Sequence, residues 1–79
     1  MSMEQLLKIM EEVRPDIDFG KENGLVDNGI IDSFDIISIV GMIGEQYGIE
    51  IGVDDLMPDN FNSAEALYAL ITSIQNKQS

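Results

Sequence analysis

The apolar segment at residues 33–47 is the sequence feature that most narrows what this chain can fold into. Its large aliphatic side chains recur at the three- and four-residue spacing of an α-helix. The segment has too few polar residues for a helix with one solvent-exposed face. Gly48 follows it as a residue that typically ends a helix. The segment is therefore predicted to be a central, largely buried helix. The side chains expected to face the core are Ile36, Ile39, Val40, Ile43 and Tyr47.

An amphipathic helix is predicted at residues 2–14, where Ser2 and Gln5 can form a capping box. Pro15 ends this helix, because it disfavours helical geometry at the preceding residue and has no backbone N–H to donate. A long, glycine-containing connection then leads to Asp32. Its apolar residues predict a loop that is held against the core. These residues are Ile17, Phe19, Leu25, Val26, Ile30 and Ile31.

Two helical segments are predicted after the central helix. A short helical turn covers residues 54–57 and stops at Pro58, and a longer helix follows with Asn62 or Ser63 as its N-cap. Residues 76–79 are expected to fray. No segment alternates apolar and polar residues over a strand's length, so the predicted fold class is all-α, a small four-helix bundle of three main helices plus one short helix. The apolar stripe of the last helix is Ala64, Leu67, Tyr68, Ile71 and Ile74.

Length and charge restrict the function. The 79 residues predict a single domain, residues 1–79, with one small core and no room for an elaborate active-site cleft. With 15 acidic and 4 basic side chains, the net charge is −11. Such a surface repels nucleic acid and anionic membranes, and it favours basic protein surfaces or cations as partners. We expect a monomer that binds no nucleic acid and does not insert into a membrane.

The chain contains no cysteine and no histidine. These absences exclude disulfides, thiolate nucleophiles and histidine-dependent catalytic triads, so we expect neither enzymatic activity nor a metal site from this chain alone. The acidic N-terminal segment is unlike a secretory signal, and no apolar run is long enough to span a bilayer. The expected location is the cytoplasm.

A serine at the start of the central helix is the candidate functional residue. Polar and glycine residues precede Ser33 and apolar residues follow it, which places its hydroxyl where a loop meets a helix. Asp32 is the predicted N-cap, and Asp35 lies in the first turn, where both carboxylates interact favourably with the positive helix end. A serine at such a position can also be an ordinary capping residue. The local residues leave both interpretations open.

The outward side of the central helix combines apolar and small residues. Exposed apolar side chains there would suit a docking surface. A glycine inside a helix costs about 0.8–1 kcal/mol relative to alanine, so each one needs a reason. Close approach of a partner is one reason, and tolerance within a well-packed bundle is the other. The outward residues are Phe34, Ile37, Ser38, Gly41 and Glu45, with Met42 and Gly44 beside them.

The order of these elements and three of their motifs resemble the acyl and peptidyl carrier proteins. The most specific motif is Ile-Asp-Ser-Phe at residues 31–34, and the others lie at residues 45–51 and 61–67. The resemblance covers essentially the whole chain. It implies that Ser33 carries a covalent 4′-phosphopantetheine arm, which a phosphopantetheinyl transferase installs from coenzyme A with magnesium. It also implies that Asp32 is the acid of the attachment motif.

The same resemblance implies a stand-alone, non-catalytic carrier that presents a thioester-bound group to a loading ligase and to downstream synthases or transferases with basic surfaces. The residues implied in partner binding are Phe34, Asp35, Ile37, Gly41, Glu45, Asp54 and Asp55. The central helix carries fewer outward acids than that of fatty-acid carriers, and residues 32–34 and 58–61 are closer to carriers that work with adenylating ligases, such as D-alanyl carriers. An acyl cargo and an aminoacyl cargo both remain open.

Two functions of other classes are alternatives. Asp16, Asp18, Glu22 and Asp27 occupy calcium-ligand positions of a twelve-residue helix–loop–helix window, but Lys21 stands where that loop needs glycine. Alternatively, the chain is an interaction module that binds a partner helix, without any modification, through the outward side of the central helix.

Overall fold

Three main helices and one short helix build the fold, as the sequence predicts. The computed structural model describes residues 1–78. No strand is present within these residues, which confirms the all-α class. The helices are α1 (Met3–Val13), α2 (Ser33–Tyr47), α3 (Pro58–Phe61) and α4 (Ala64–Gln78), and a 3₁₀ turn covers Val53–Asp55.

The predicted signals fix the ends of the first two long helices. The Gln5 N–H donates to Ser2 Oγ at 3.2 Å, and the Ser2 N–H donates to Gln5 Oε1 at 2.8 Å, which completes the capping box of α1. Helix α2 ends at Gly48, whose φ of +66° is a left-handed conformation that glycine adopts without strain. Its N–H donates to Gly44 O at 3.0 Å.

The core lies where α1 packs against α2 and α4, and α3 packs against α4. Ile39 and Ile43 of α2 are fully buried, and the other residues predicted to face inward are partly buried against the core. This confirms the predicted inward side of the central helix. The fully buried large side chains are Leu6, Met10, Phe19, Leu25, Ile39, Ile43, Phe61, Leu67 and Ile71.

The connection from α1 to α2 is held on the core, as its apolar residues predict. Leu25 and Ile31 are buried. The backbone and side-chain oxygens of Asn62 accept the N–H groups of Leu25 at 2.9 Å and Val26 at 3.0 Å. Leu25 O in turn accepts the Ile31 N–H at 3.0 Å. Because these contacts tie the loop at two points, its end reaches the start of α2 in a defined position.

Around Pro58 the structure differs from the prediction of one helical turn over residues 54–57. The turn lies earlier, at Val53–Asp55, and Pro58 begins α3 instead of ending a helix. Proline suits a first helical position, because its φ is already helical and the N–H it lacks would have no intrahelical partner there.

Helix α4 resolves one open alternative. Ser63 is its N-cap, because the Ala66 N–H donates to Ser63 Oγ at 3.0 Å. The helix extends to Gln78, so that it includes most of the segment expected to fray, and Ser79 lies outside the described residues. Lys77 in the last turn interacts favourably with the negative end of the helix.

Candidate functional site

The junction between the loop and α2 is a reciprocal capping box. Asp32 is the N-cap, and its Oδ1 accepts the Asp35 N–H at 3.0 Å. Asp35 Oδ2 accepts the Asp32 N–H at 3.1 Å. These two bonds satisfy backbone donors that the start of a helix leaves unpaired. Ser33 lies between the two aspartates, as the first residue of α2.

The Ser33 hydroxyl is available for chemistry, because Asp32 provides the cap. Ser33 is exposed, and within residues 1–78 its hydroxyl makes no hydrogen bond. A phosphate bound to this oxygen would lie at the N-terminus of a 15-residue helix, where the unpaired N–H groups and the helix dipole favour negative charge. The residues present therefore fit a phosphate-linked group on Ser33.

Arg14 connects the end of α1 to this junction, and the sequence reasoning missed it. Its Nη1 donates to Asp35 Oδ2 at 2.7 Å and to Ile30 O at 3.4 Å. Its Nε and Nη2 donate to the two carboxylate oxygens of Asp16 at 3.0 and 2.9 Å. Hydrogen bonds to Asp16 and Asp35 raise the pKa of Arg14 above its usual range, and the bond from Arg14 lowers the pKa of Asp16.

Asp35 therefore differs from the expectation of an acid that faces partner proteins. Only 14% of its side chain is exposed, and its Oδ2 accepts hydrogen bonds from both Arg14 and the Asp32 N–H. The positive charge of Arg14 offsets the charge of this carboxylate, and little of its surface can contact a partner. Its role in this structure is to hold the start of α2.

The outward side of α2 is exposed next to Ser33. Phe34 and Ile37 are 81% and 63% exposed. Gly41 and Glu45 are also exposed, and a Cβ built on Gly41 would meet no atom within 4 Å. Met42, which was expected beside this surface, instead packs partly buried against the core.

An open groove extends this surface from α2 to the segment before the 3₁₀ turn. Val53 forms its far end and is exposed, as are Leu56 and Met57 nearby, none of which the sequence reasoning singled out. Asp54 is exposed and Asp55 is partly buried in the same turn. Apolar and acidic groups therefore lie side by side here. The groove is lined by Val40, Gly41, Gly44, Glu45, Ile49, Glu50, Ile51, Gly52 and Val53.

The acids of the calcium alternative do not converge. Asp16 is bound to Arg14, Asp18 Oδ2 lies 4.0 Å from Lys21 Nζ, and Asp27 accepts a hydrogen bond from the Asn62 amide at 3.1 Å. Among residues 1–78, no group of three or more acidic side chains is arranged to hold a metal ion.

The sequence matches the protein family described as "Phosphopantetheine attachment site" over residues 4–71, which is most of the chain. No match was found among proteins with curated functions. In the part of the chain that the structure describes, no helix has both the length and the apolar character needed to cross a membrane.

Domains of this family hold a covalent 4′-phosphopantetheine group, and partner enzymes act on them while the domains themselves catalyse nothing. The chain therefore belongs to the phosphopantetheine attachment-site family and is a carrier protein.

Proposed function

We propose that Ser33 is the attachment residue of this carrier. The observation that supports this most strongly is the exposed Ser33 hydroxyl at the first position of a capped helix, which makes no hydrogen bond to any of the described residues 1–78. In the transfer, Ser33 Oγ forms a bond to the phosphorus that carries the pantetheine of coenzyme A. The bond from that phosphorus to the bridging oxygen breaks, and 3′,5′-ADP leaves. The serine proton passes to a base of the transferase, because this chain has no histidine to accept it.

The arm supplies a terminal thiol, on which a carboxylic acid is held as a thioester. In the proposed function an adenylating ligase or a synthase loads this thiol, and the cargo is an acyl or an aminoacyl group. An aminoacyl cargo, D-alanyl included, is the second candidate, which residues 32–34 and 58–61 favour. The chain's own part is to present Ser33 and to dock its partner enzymes.

Phe34, Ile37 and Gly41 form the proposed docking surface, together with the exposed acids Glu45 and Asp54. A net charge of −11 and these outward acids suit the basic surface of a transferase or a ligase. Exposed aromatic and aliphatic anchors supply the short-range contact at the centre of such an interface. Asp55 lies at the edge of the proposed docking surface and is partly buried. Association should weaken as salt screens the charges.

Coexpression of the chain with a broad-specificity phosphopantetheinyl transferase tests the proposal. The intact mass of the wild-type protein is expected to increase by one phosphopantetheine arm. A subsequent ligase or synthase assay with acyl and aminoacyl substrates then identifies the cargo from the second mass increase. An unchanged mass with several transferases would contradict the proposal and favour an unmodified interaction module.

Phe34→Ala is expected to slow modification without unfolding the protein. Loss of a central anchor typically costs about 1–2 kcal/mol of binding, which corresponds to a roughly 5- to 30-fold lower kcat/KM when docking limits the reaction. The free energy of unfolding should change by less than about 1 kcal/mol, because the side chain is exposed. Phe34→Leu should recover most of the rate. A large loss of thermal stability in Phe34→Ala would show that this residue supports the core instead.

Gly41→Ala is expected to stabilise the free protein and to weaken docking. The added methyl group meets no atom within 4 Å, so the helix should gain about 0.8–1 kcal/mol in urea unfolding. If a partner approaches α2 closely at this glycine, the KM of the transferase for the carrier should rise. Gly48→Ala is the control, because it should destabilise the protein instead: the φ of +66° at this position strains any residue with a Cβ. An unchanged KM in Gly41→Ala would exclude close approach at this position.

A further inference from the structure

The start of α2 contains two aspartates that share hydrogen bonds across Ser33. Asp32 and Asp35 accept each other's N–H groups at 3.0 and 3.1 Å, which brings two carboxylates to one helical turn. The two carboxylates carry like charges and repel each other, in a chain that already has a net charge of −11. The positive end of α2 compensates for only part of this charge. A cation beside the pair would therefore stabilise it.

Arg14 is the chain's one arginine, and it supplies this cation. Its Nη1 lies 2.7 Å from Asp35 Oδ2, the same oxygen that accepts the Asp32 N–H. The remaining nitrogens of the guanidinium are bound to Asp16, and Nη1 also reaches Ile30 O. Because Arg14 follows α1 directly and is bound to both ends of the loop and to α2, the end of α1, the end of the loop and the first turn of α2 form one connected unit.

The two ion pairs of Arg14 differ in burial. The side chain of Asp35 is 14% exposed and that of Asp16 is 63% exposed, while that of Arg14 is 32% exposed. Solvent screens the pair with Asp16 more strongly than the pair with Asp35. Loss of Arg14 would leave the less exposed carboxylate without its counter-charge, beside a second carboxylate. We expect the capping box to loosen as a result.

We propose that Arg14 is a positioning residue for the modification of Ser33, which acts through Asp35 by holding the first turn of α2 in the orientation that presents the Ser33 hydroxyl. The proposal rests on Ser33 being the modified residue. Arg14 does not touch the reacting atoms in this account. Small displacements of a reacting group can lower a rate up to about 100-fold, so a residue that only holds this turn can still matter for the transfer.

Steady-state kinetics of coenzyme A-dependent modification test the proposal. Arg14→Gln should lower kcat about tenfold while KM for the carrier changes less than about twofold, because the docking surface is intact. Arg14→Lys should recover part of kcat, since it keeps the charge but loses the planar fork of donors. Asp16→Asn is the matched control, because it removes the other carboxylate partner of Arg14 and should leave kcat unchanged. Asp35→Asn removes the carboxylate through which Arg14 acts and should also lower kcat, and the double variant Arg14→Gln/Asp35→Asn should be no slower than the slower of these two single variants.

A second measurement examines the junction without any modification. The amide protons of Asp32 and Asp35 are held by the capping box, so their exchange with solvent should be about fivefold faster in Arg14→Gln, consistent with the usual loss from a weakened cap. Asp16→Asn should leave this exchange unchanged. A wild-type kcat in Arg14→Gln, or an equal loss in Asp16→Asn, would overturn the proposal. Unchanged amide exchange in Arg14→Gln would also overturn it, and this measurement needs no transferase. Failure of every transferase to modify the wild-type chain would instead contradict the assignment of Ser33.

Discussion

Ser33→Ala is expected to abolish the gain of a phosphopantetheine arm, whereas Ser38→Ala is expected to leave the gain intact. The two serines lie in the same helix and both are exposed, but only Ser33 is at the capped N-terminus of α2. The hydroxyl at position 33 is the proposed nucleophile, so that its removal leaves no oxygen to accept the phosphorus. Ser38 lies more than one turn further along, about 7.5 Å along the helix axis, away from the unpaired N–H groups. Intact mass spectrometry after incubation with a transferase and coenzyme A measures both outcomes.

The fold should tolerate both serine substitutions. Each side chain is exposed, and alanine is favourable in a helix, so the free energy of unfolding should change by less than about 0.5 kcal/mol. Loss of the mass increase can then be attributed to the missing hydroxyl. Modification of Ser33→Ala to the wild-type extent would contradict the assignment. Loss of modification in Ser38→Ala alone would move the site to that serine.

Ile43→Ala is the substitution with the largest expected effect on stability. Ile43 is fully buried in the part of α2 that packs into the core. Replacing a buried isoleucine by alanine removes apolar contacts and leaves a cavity, at a cost of about 2–5 kcal/mol. Small domains are stable by only about 5–15 kcal/mol, so this loss brings the protein close to unfolding. Urea denaturation followed by circular dichroism measures the change, and the melting temperature should fall by about 4–8 °C for each kcal/mol lost.

Ile37→Ala is the matched control for that experiment, because it removes the same atoms from the same helix on its exposed side. Ile37 is 63% exposed, so the free energy of unfolding should change by less than about 0.5 kcal/mol. Equal losses for the two isoleucines would mean that the inward and outward sides of α2 are assigned incorrectly. They would also remove the basis for a docking surface on this helix.

The elements that the sequence predicts well are those set by local rules. The Ser2–Gln5 capping box, Asp32 as N-cap and Gly48 after α2 depend on short-range hydrogen bonds and backbone geometry, and the structure forms each of them. The return bond from the Asp32 N–H to Asp35 was not predicted. The spacing of Ile39 and Ile43 also decides the buried side of α2, since it depends only on helical periodicity. The helix that contains Ser33 can therefore be derived from the residues around it.

The features that the sequence did not predict depend on contacts between distant residues. Arg14 and Asp35 are 21 positions apart, and their ion pair follows from how the loop folds back between α1 and α2. Asn62 looked like a capping residue, yet its side chain binds the loop 36 positions earlier. Local rules allow Pro58 either to follow the end of one helix or to begin the next. In the structure it begins α3, which packs against α4. One feature of the sequence could have indicated the ion pair of Arg14 with Asp35: Arg14 is the chain's one arginine and lies directly before Pro15.

Fragment mass spectrometry of the wild-type protein isolated from its own host locates the arm directly. The peptide containing Ser33 is expected to carry one phosphopantetheine arm, and any further mass on the arm identifies the acyl or aminoacyl cargo. Fragment ions should assign the arm to residue 33 and to no other serine of the chain. An unmodified Ser33 peptide, or an arm on a different serine, would contradict the account.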